Sequence, residues 1–393
     1  MSDIAIFGAG RISRGFLAHL ISLSGKDFFF IEKDANLVAM LESKKKYTIH
    51  IMGHPEKDYI VTNFKSYNAD NEESFLLPLS RADLILTSVG GQNLLAISDS
   101  IAKAIQMRYH ANLKEPANII TCENWIDPAK KLKSAVLANL PAELHTYVES
   151  KIGFSEAVVL RSATDLEPGK LEVDPLAVNV QDYWTLYIDA ATIKNHIPRI
   201  EGFELKKDFS GMLTRKLYTY NAANGTISYL GNLKGYKRID QAIMDQEILD
   251  ILMKVYDETT NALSREFNIS YKEQYAFAMM SLAKLQSKEI VDFISRNARD
   301  PIRKLGPEDR LVGPSLIALK YGIIPEGLAT AIAAAIFYEN DQDSSAVTLK
   351  EIRKVKGVDY ILDSICMLGA YPEFKDLIRS KIAYLQSRGW IKE

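Results

Sequence analysis

The chain has 393 residues, 47% of them apolar and 25% charged, with a formal net charge of −2. That is ordinary globular composition, long enough for two separately cored domains, and it argues against a disordered chain and against a nucleic-acid or membrane surface. Two cysteines, Cys122 and Cys366, cannot build a disulfide framework, so a cytoplasmic chain is expected.

The N-terminus runs straight into a strand with no basic and apolar leader, so no signal peptide is expected. Strands are predicted at 4–8, 28–32, 47–52, 83–89 and 118–123, with helical segments such as 14–24 and 35–45 between them. That alternation predicts an α/β fold with a parallel, doubly wound sheet. Segments 156–162 and 179–189 add strand character without an obvious place. From about residue 209 helical periodicity takes over, as in the apolar stripe 248, 249, 251, 252, 255 and 256. The apolar run 328–338 is too short for a bilayer and reads as a buried helix. A boundary near 194–208 divides the chain into a nucleotide-binding domain, 1–198, and a mostly helical domain, 199–393.

The first strand ends in Gly8-Ala9-Gly10 and a helix follows at once. Gly8 allows a tight turn, and Gly10 lets backbone N–H groups approach a pyrophosphate at the positive end of the helix. Ser13 stands where a third glycine would provide close helix–strand packing. Taken alone, the motif is equally an ordinary strand–helix turn. Glu32, at the end of the second strand, suits an acceptor for adenosine ribose hydroxyls and favours NAD over NADP, although Lys33 lies beside it. Arg11 is either over the pyrophosphate or simply exposed. "SVGGQN" (88–93) and "CENW" (122–125) fall at the carboxyl ends of two further strands, the edge where open α/β sheets bind ligands. The cofactor set is therefore Gly8, Gly10, Arg11, Ile12, Ser13, Glu32, Val89, Gly90 and Asn124. Gly90 and Gly91 are alternatively plain loop glycines.

Hydride transfer from an alcohol needs a proton acceptor and donors to the developing alkoxide. Tyr147 and Lys151 have a Tyr-x-x-x-Lys spacing but run directly into a strand, which sets that pair aside. "RKLYTYNAANGTISYLG" (215–231) is the better candidate. On a helix, Lys216, Asn221 and Asn224 span an arc of about 140°. A polar seam between domains is the alternative reading. Asn224-Gly225 is also a turn signal. The six histidines (His19, His50, His54, His110, His145 and His196) show no metal-ligand spacing, so no metal is expected.

These segments, together with "FGAGRISRGF" (7–16), "YTIHIMG" (47–53), "NIITCEN" (118–124), "DPIRKLGPEDRLVGP" (300–314) and "AIAAAIF" (331–337), resemble the polyol-specific long-chain dehydrogenases, the mannitol dehydrogenase family. The resemblance spans nearly the whole chain. It implies a Rossmann-type NAD domain followed by an all-helical domain, and metal-independent interconversion of a sugar-alcohol phosphate and a keto-sugar phosphate. It implies Lys216 as general base and Asn221 in the oxyanion hole, with Asn224 in place of the family's histidine. Arg296 and Lys304 match positions lining the polar end of the substrate pocket. Arg161 stands where the family carries asparagine or aspartate. A hexuronate reductase and a catalytically impaired NAD-binding protein are the alternatives, and Arg296, Lys304 and Arg161 suit either a phosphate or a carboxylate. Partners are a sugar phosphate or polyol, neither nucleic acid nor membrane, with the chain a monomer or weak homo-oligomer. Burial beside a nicotinamide would tune Lys216 to a pKa of roughly 7–8.

Overall fold

The computed structural model describes residues 3–164, 166, 173–207, 209, 211–287 and 291–392. It divides into two compact units, Met1–Leu213 and Thr214–Glu393.

In the first unit, β1 (Asp3–Phe7), β2 (Phe28–Glu32), β5 (Phe64–Asn68), β6 (Ala82–Thr87), β7 (Ala117–Thr121) and β8 (Ile152–Val158) form six parallel strands in the order β5-β2-β1-β6-β7-β8. Alternate residues of the central strand feed opposite cores. Ile4 and Ile6 join one cluster, and Ala5 and Phe7 join the other. Burial on both faces is why this strand reads as a continuous apolar run. The sheet is extended by β11 (Leu186–Asp189), antiparallel to β8, and by β12 (Phe203–Lys206), parallel to β11. The strand character of 179–189 thus resolves into an added edge. With β12 in the same sheet, the first unit runs past residue 198.

Segment 47–52 departs from expectation. Its strand, β3 (Tyr47–Ile51), lies outside the parallel sheet, in a second sheet with β4 (Tyr59–Val61), β9 (Ala163–Thr164) and β10 (Val178–Val180). This small sheet packs on the helix over 11–23. A Cβ placed on Gly15 would come 2.6 Å from Val180 Cγ1 and 2.9 Å from Val178 Cγ1. The close-packing glycine of this helix is therefore Gly15, and Ser13 is simply buried.

The second unit is helical. Its centre is the Glu326–Ile336 helix, buried from Gly327 onward and packed by Ala222–Leu233, Gln246–Glu266 and Pro372–Ser387. Asp245 caps the Gln246–Glu266 helix, accepting from the N–H groups of Glu247 and Ile248. Buried Glu258 of that helix accepts from Gly327 N (2.6 Å) and Leu328 N (3.0 Å), satisfying the exposed donors at the start of the central helix. Desolvation pushes its carboxyl up to about 7. No helix among the described residues is long and apolar enough to cross a membrane.

Candidate functional site

Each unit carries one polar region of interest. In the first unit the chain leaves β1 toward β2 and β5 on one side and returns to β6 on the other. The carboxyl ends of β1 and β6 therefore flank a topological switch point, the position where open α/β sheets bind ligands. Gly8 sits there with φ +88°, and a Cβ on it would lie 2.6 Å from Ser88 O. Both the dihedral and the approach of the next loop demand glycine. Gly10 differs: its φ is ordinary, it is exposed, and a Cβ there would meet no protein atom within 4 Å. Among the described residues, nothing packed against Gly10 requires glycine at that place. Arg11 and Ile12 follow, partly buried in the first helical turn. Ser13 is fully buried, and its hydroxyl has no protein partner among the described residues. Ser13–Leu17 then winds as a π-helical turn.

Glu32 does more than end β2. Its carboxylate accepts from Ala9 N (2.6 Å), Lys33 N (2.7 Å) and Asp34 N (2.9 Å), bracing the glycine turn from the neighbouring strand. Glu123, which sequence reading passed over, has the same function on the other side. It is 4% exposed and accepts from Thr87 Oγ1 (3.1 Å), Val89 N (3.0 Å) and Gly90 N (2.9 Å). One buried carboxylate thereby ties the loop after β7 to the loop after β6, and desolvation raises its pKa. Gly90 needs its positive φ of 83°, whereas Gly91 lies against the Trp125 ring, 2.8 Å from an added Cβ. Val89 and Asn124 stand on these two loops, Asn124 exposed.

In the second unit, Lys216 ends the Met212–Lys216 helix, Leu217–Asn221 is a π-helical turn, and Ala222–Leu233 continues as an α-helix. The wider turn means that the 140° arc of a uniform α-helix does not describe Lys216, Asn221 and Asn224. The expected turn at Asn224-Gly225 is likewise absent, because both residues lie inside the helix. Side chains of the Tyr271–Leu285 helix pin this segment. Gln274 accepts from Arg215 Nε (2.9 Å) and donates to Thr219 Oγ1 (2.8 Å), while Glu273 accepts from Arg215 Nη2 (2.9 Å). Phe277 packs on Tyr220, and Lys284 Nζ stands 6.0 Å over the Tyr220 ring.

Lys216 is partly buried, and desolvation pulls its pKa down from 10.5 to about 7, helped by the positive charges of Lys284 and Arg310. Lys284 is lowered to about 8 by burial. Lys304, 4% exposed, donates to Asn297 O (2.6 Å) and is lowered to about 7 by burial and then by Arg310. Arg310 therefore bears on both Lys216 and Lys304. Asn221 is 8% exposed and Asn224 partly buried. Arg296 is half-exposed and its Nε donates to Asp292 Oδ1 (2.7 Å), so its charge is already met one turn back.

Arg161 belongs to the first unit. It is 2% exposed inside the first unit, donating to Gln181 O (2.7 Å), Gly15 O (3.1 Å) and His19 Nδ1 (3.1 Å), with Trp184 against its guanidinium. Tyr147 and Lys151 bond to the backbone carbonyls of Leu113 and Lys114, a structural use of that spacing. Sequence reading missed Glu123, Lys284 and Arg310. Glu123 lay within a quoted motif, but its partners sit on another loop. Lys284 and Arg310 are ordinary surface residues in sequence and become functional candidates only through burial. Among the described residues no three histidine, cysteine or acidic side chains group as metal ligands.

Comparison with known proteins places these regions in context. A model of the mannitol dehydrogenase Rossmann domain matches residues 2–202, and one of the mannitol dehydrogenase C-terminal domain matches 208–367. The chain is 31% identical over 384 residues to mannitol-1-phosphate 5-dehydrogenase of Anoxybacillus flavithermus, covering 96% of this chain and 99% of that one. It is 31% identical over 386 residues to the enzyme of the same name from Thermoanaerobacter pseudethanolicus, covering 95% and 98%. The fold is shared with Pseudomonas fluorescens mannitol 2-dehydrogenase, solved with NAD and D-mannitol, at a TM-score of 0.79 and 16% identity, over 99% of this chain and 92% of that one.

Proposed function

This chain belongs to the mannitol dehydrogenase family, and on that premise we propose that it interconverts mannitol 1-phosphate and fructose 6-phosphate, or a closely similar polyol phosphate and keto-sugar phosphate. It is an NAD-dependent oxidoreductase acting on the CH–OH group of a polyol. The observation that carries the finer reading is the partly buried Lys216, its amine desolvated to a pKa of about 7, on the segment that also bears Asn221 and Asn224.

The glycine edge fits NAD. Gly10 leaves room for a pyrophosphate at the start of the helix. The carboxylate of Glu32 repels a 2′-phosphate and favours the unphosphorylated ribose. When bound, NAD supplies the hydride acceptor. Lys216, neutral above about pH 7, takes the proton of the substrate hydroxyl. The amides of Asn221 and Asn224 donate to the oxygen as charge builds on it. Asn224 donates as a histidine would but carries no charge. In this reading the proton goes to an amine, and the reaction asks nothing of a metal.

The test is an absorbance assay of NADH and NADPH oxidation with a panel of keto-sugar phosphates, neutral ketoses and hexuronates. Turnover of fructose 6-phosphate with NADH is expected. Faster turnover of a hexuronate would replace the phosphate with a carboxylate. NADH binding without turnover of any substrate would make this a binding protein.

A further inference from the structure

We propose that Arg310 is the anion-holding residue of the second unit's site, its guanidinium fork and the ammonium of Lys304 together taking the phosphate of the substrate. The inference rests on the function proposed above and names the group that selects a dianionic substrate.

Arg310 lies between the Pro301–Lys304 and Val312–Lys320 helices and is 8% exposed. Its stem crosses the catalytic-segment helix one residue beyond Asn224. A Cβ on Gly225 would lie 3.3 Å from Arg310 Cδ and 3.6 Å from Cγ. The absent side chain at 225 is therefore what lets the stem lie so close. Arg310 Nε donates to Asp309 Oδ1 (2.7 Å), which fixes the plane of the guanidinium. The other oxygen of Asp309 is taken by Arg303 Nη1 (2.7 Å), so one carboxylate serves two arginines. Among the described residues, Nη1 and Nη2 of Arg310 have no hydrogen-bond acceptor.

An arginine this buried, with its two terminal nitrogens unused, is a preformed bidentate donor. Among the described residues, Arg310 has one ion-pair partner, Asp309, which it shares with Arg303. Asp300 is already bonded to Arg303, and Asp309 to the Arg303–Arg310 pair. Lys304, buried and within the field of Arg310, bonds among the described residues to the neutral carbonyl of Asn297. A phosphate dianion compensates both cations at once, which a single carboxylate or a neutral hydroxyl does less well. After desolvation, the charge of Arg310 further lowers the pKa of both Lys216 and Lys304, in keeping with an excess of positive charge at this place.

The experiment measures kcat and KM for mannitol 1-phosphate and for mannitol in the wild type, Arg310→Gln and Arg310→Lys, with inorganic phosphate affinity by calorimetry. Loss of charged hydrogen bonds raises KM for the phosphate ester roughly 10- to 100-fold in Arg310→Gln, with kcat at saturation changed less than about 3-fold. Phosphate affinity falls in parallel, and KM for mannitol is unmoved. Arg310→Lys keeps the charge without the fork and recovers part of the loss. It also serves as the readable variant should the glutamine fail to fold. An unchanged KM and an unchanged phosphate affinity would overturn the assignment, as would an equal loss of kcat on both substrates. The two readings separate cleanly. Arg310-dependent phosphate binding without turnover of any sugar phosphate removes the function and keeps the anion site. Turnover with KM indifferent to Arg310 does the reverse.

Discussion

Lys216 concentrates the residue-scale argument. Its pKa of about 7, against 10.5 in water, follows first from desolvation and then from two neighbouring cations. If the amine is the base, oxidation of the polyol rises with pH and levels off above an inflection near 7. Lys216→Ala is expected to reduce kcat by about 10²–10⁴-fold, while NADH titration by fluorescence stays close to wild type. Turnover that survives the change takes Lys216 out of the mechanism. Gly8 makes a second residue-scale case. At φ +88° and with Ser88 O in the way, Gly8→Ala costs about 1–3 kcal/mol of stability. It also weakens NADH binding, both read from a denaturant melt and a titration of the same protein.

At the scale of elements, the glycine edge is held from both flanks by carboxylates that accept from backbone N–H groups. Glu32 braces the turn after β1, and Glu123 joins the loops after β6 and β7. Glu123→Gln turns one acceptor into a donor facing N–H groups, an unsatisfied arrangement worth about 1–3 kcal/mol. A weaker NADH affinity with kcat nearly unchanged is the expected pattern. A change in kcat alone would mean that these loops do not shape the cofactor edge. The helix over 11–23 shows another dependence. Gly15→Ala drives a methyl into Val178 and Val180 of β10, so the midpoint of thermal unfolding falls. The same change at Gly10, where the protein leaves open space, spares stability and affects cofactor binding alone.

For the whole molecule, the buried cations set a pH dependence of stability. Lys216, Lys284 and Lys304 have folded pKa values lowered to about 7, 8 and 7. Between pH 7 and about 10 the unfolded chain holds protons that these folded lysines have shed, so stability rises with pH across that window. The thermal midpoint is therefore higher at about pH 9 than at pH 7. Lys304→Met, which removes one buried ammonium, flattens the rise. A midpoint that falls steadily from pH 7 upward would contradict the burial of these groups.

Much of this was legible in local pattern. Strand–helix alternation with apolar runs announced the parallel sheet, and the periodic stripe beginning at Ile248 announced the helical unit, because burial on a fixed face imposes a fixed spacing. The two glycines of the opening turn and the lysine–asparagine spacing were visible for the same reason: they are contiguous in the chain. What the tertiary structure alone decided involves partners far apart in sequence. It moved β3 into a second sheet, made Gly15 the packing glycine in place of Ser13, and took Arg161 into the interior of the first unit. It widened the helix at Leu217–Asn221, and it brought Lys284 and Arg310 to bear on Lys216, and Arg310 on Lys304 as well. Local sequence encodes dihedral preference and periodic burial. Desolvation and charge proximity, which set pKa values and free a guanidinium for a ligand, exist only once distant segments have packed together.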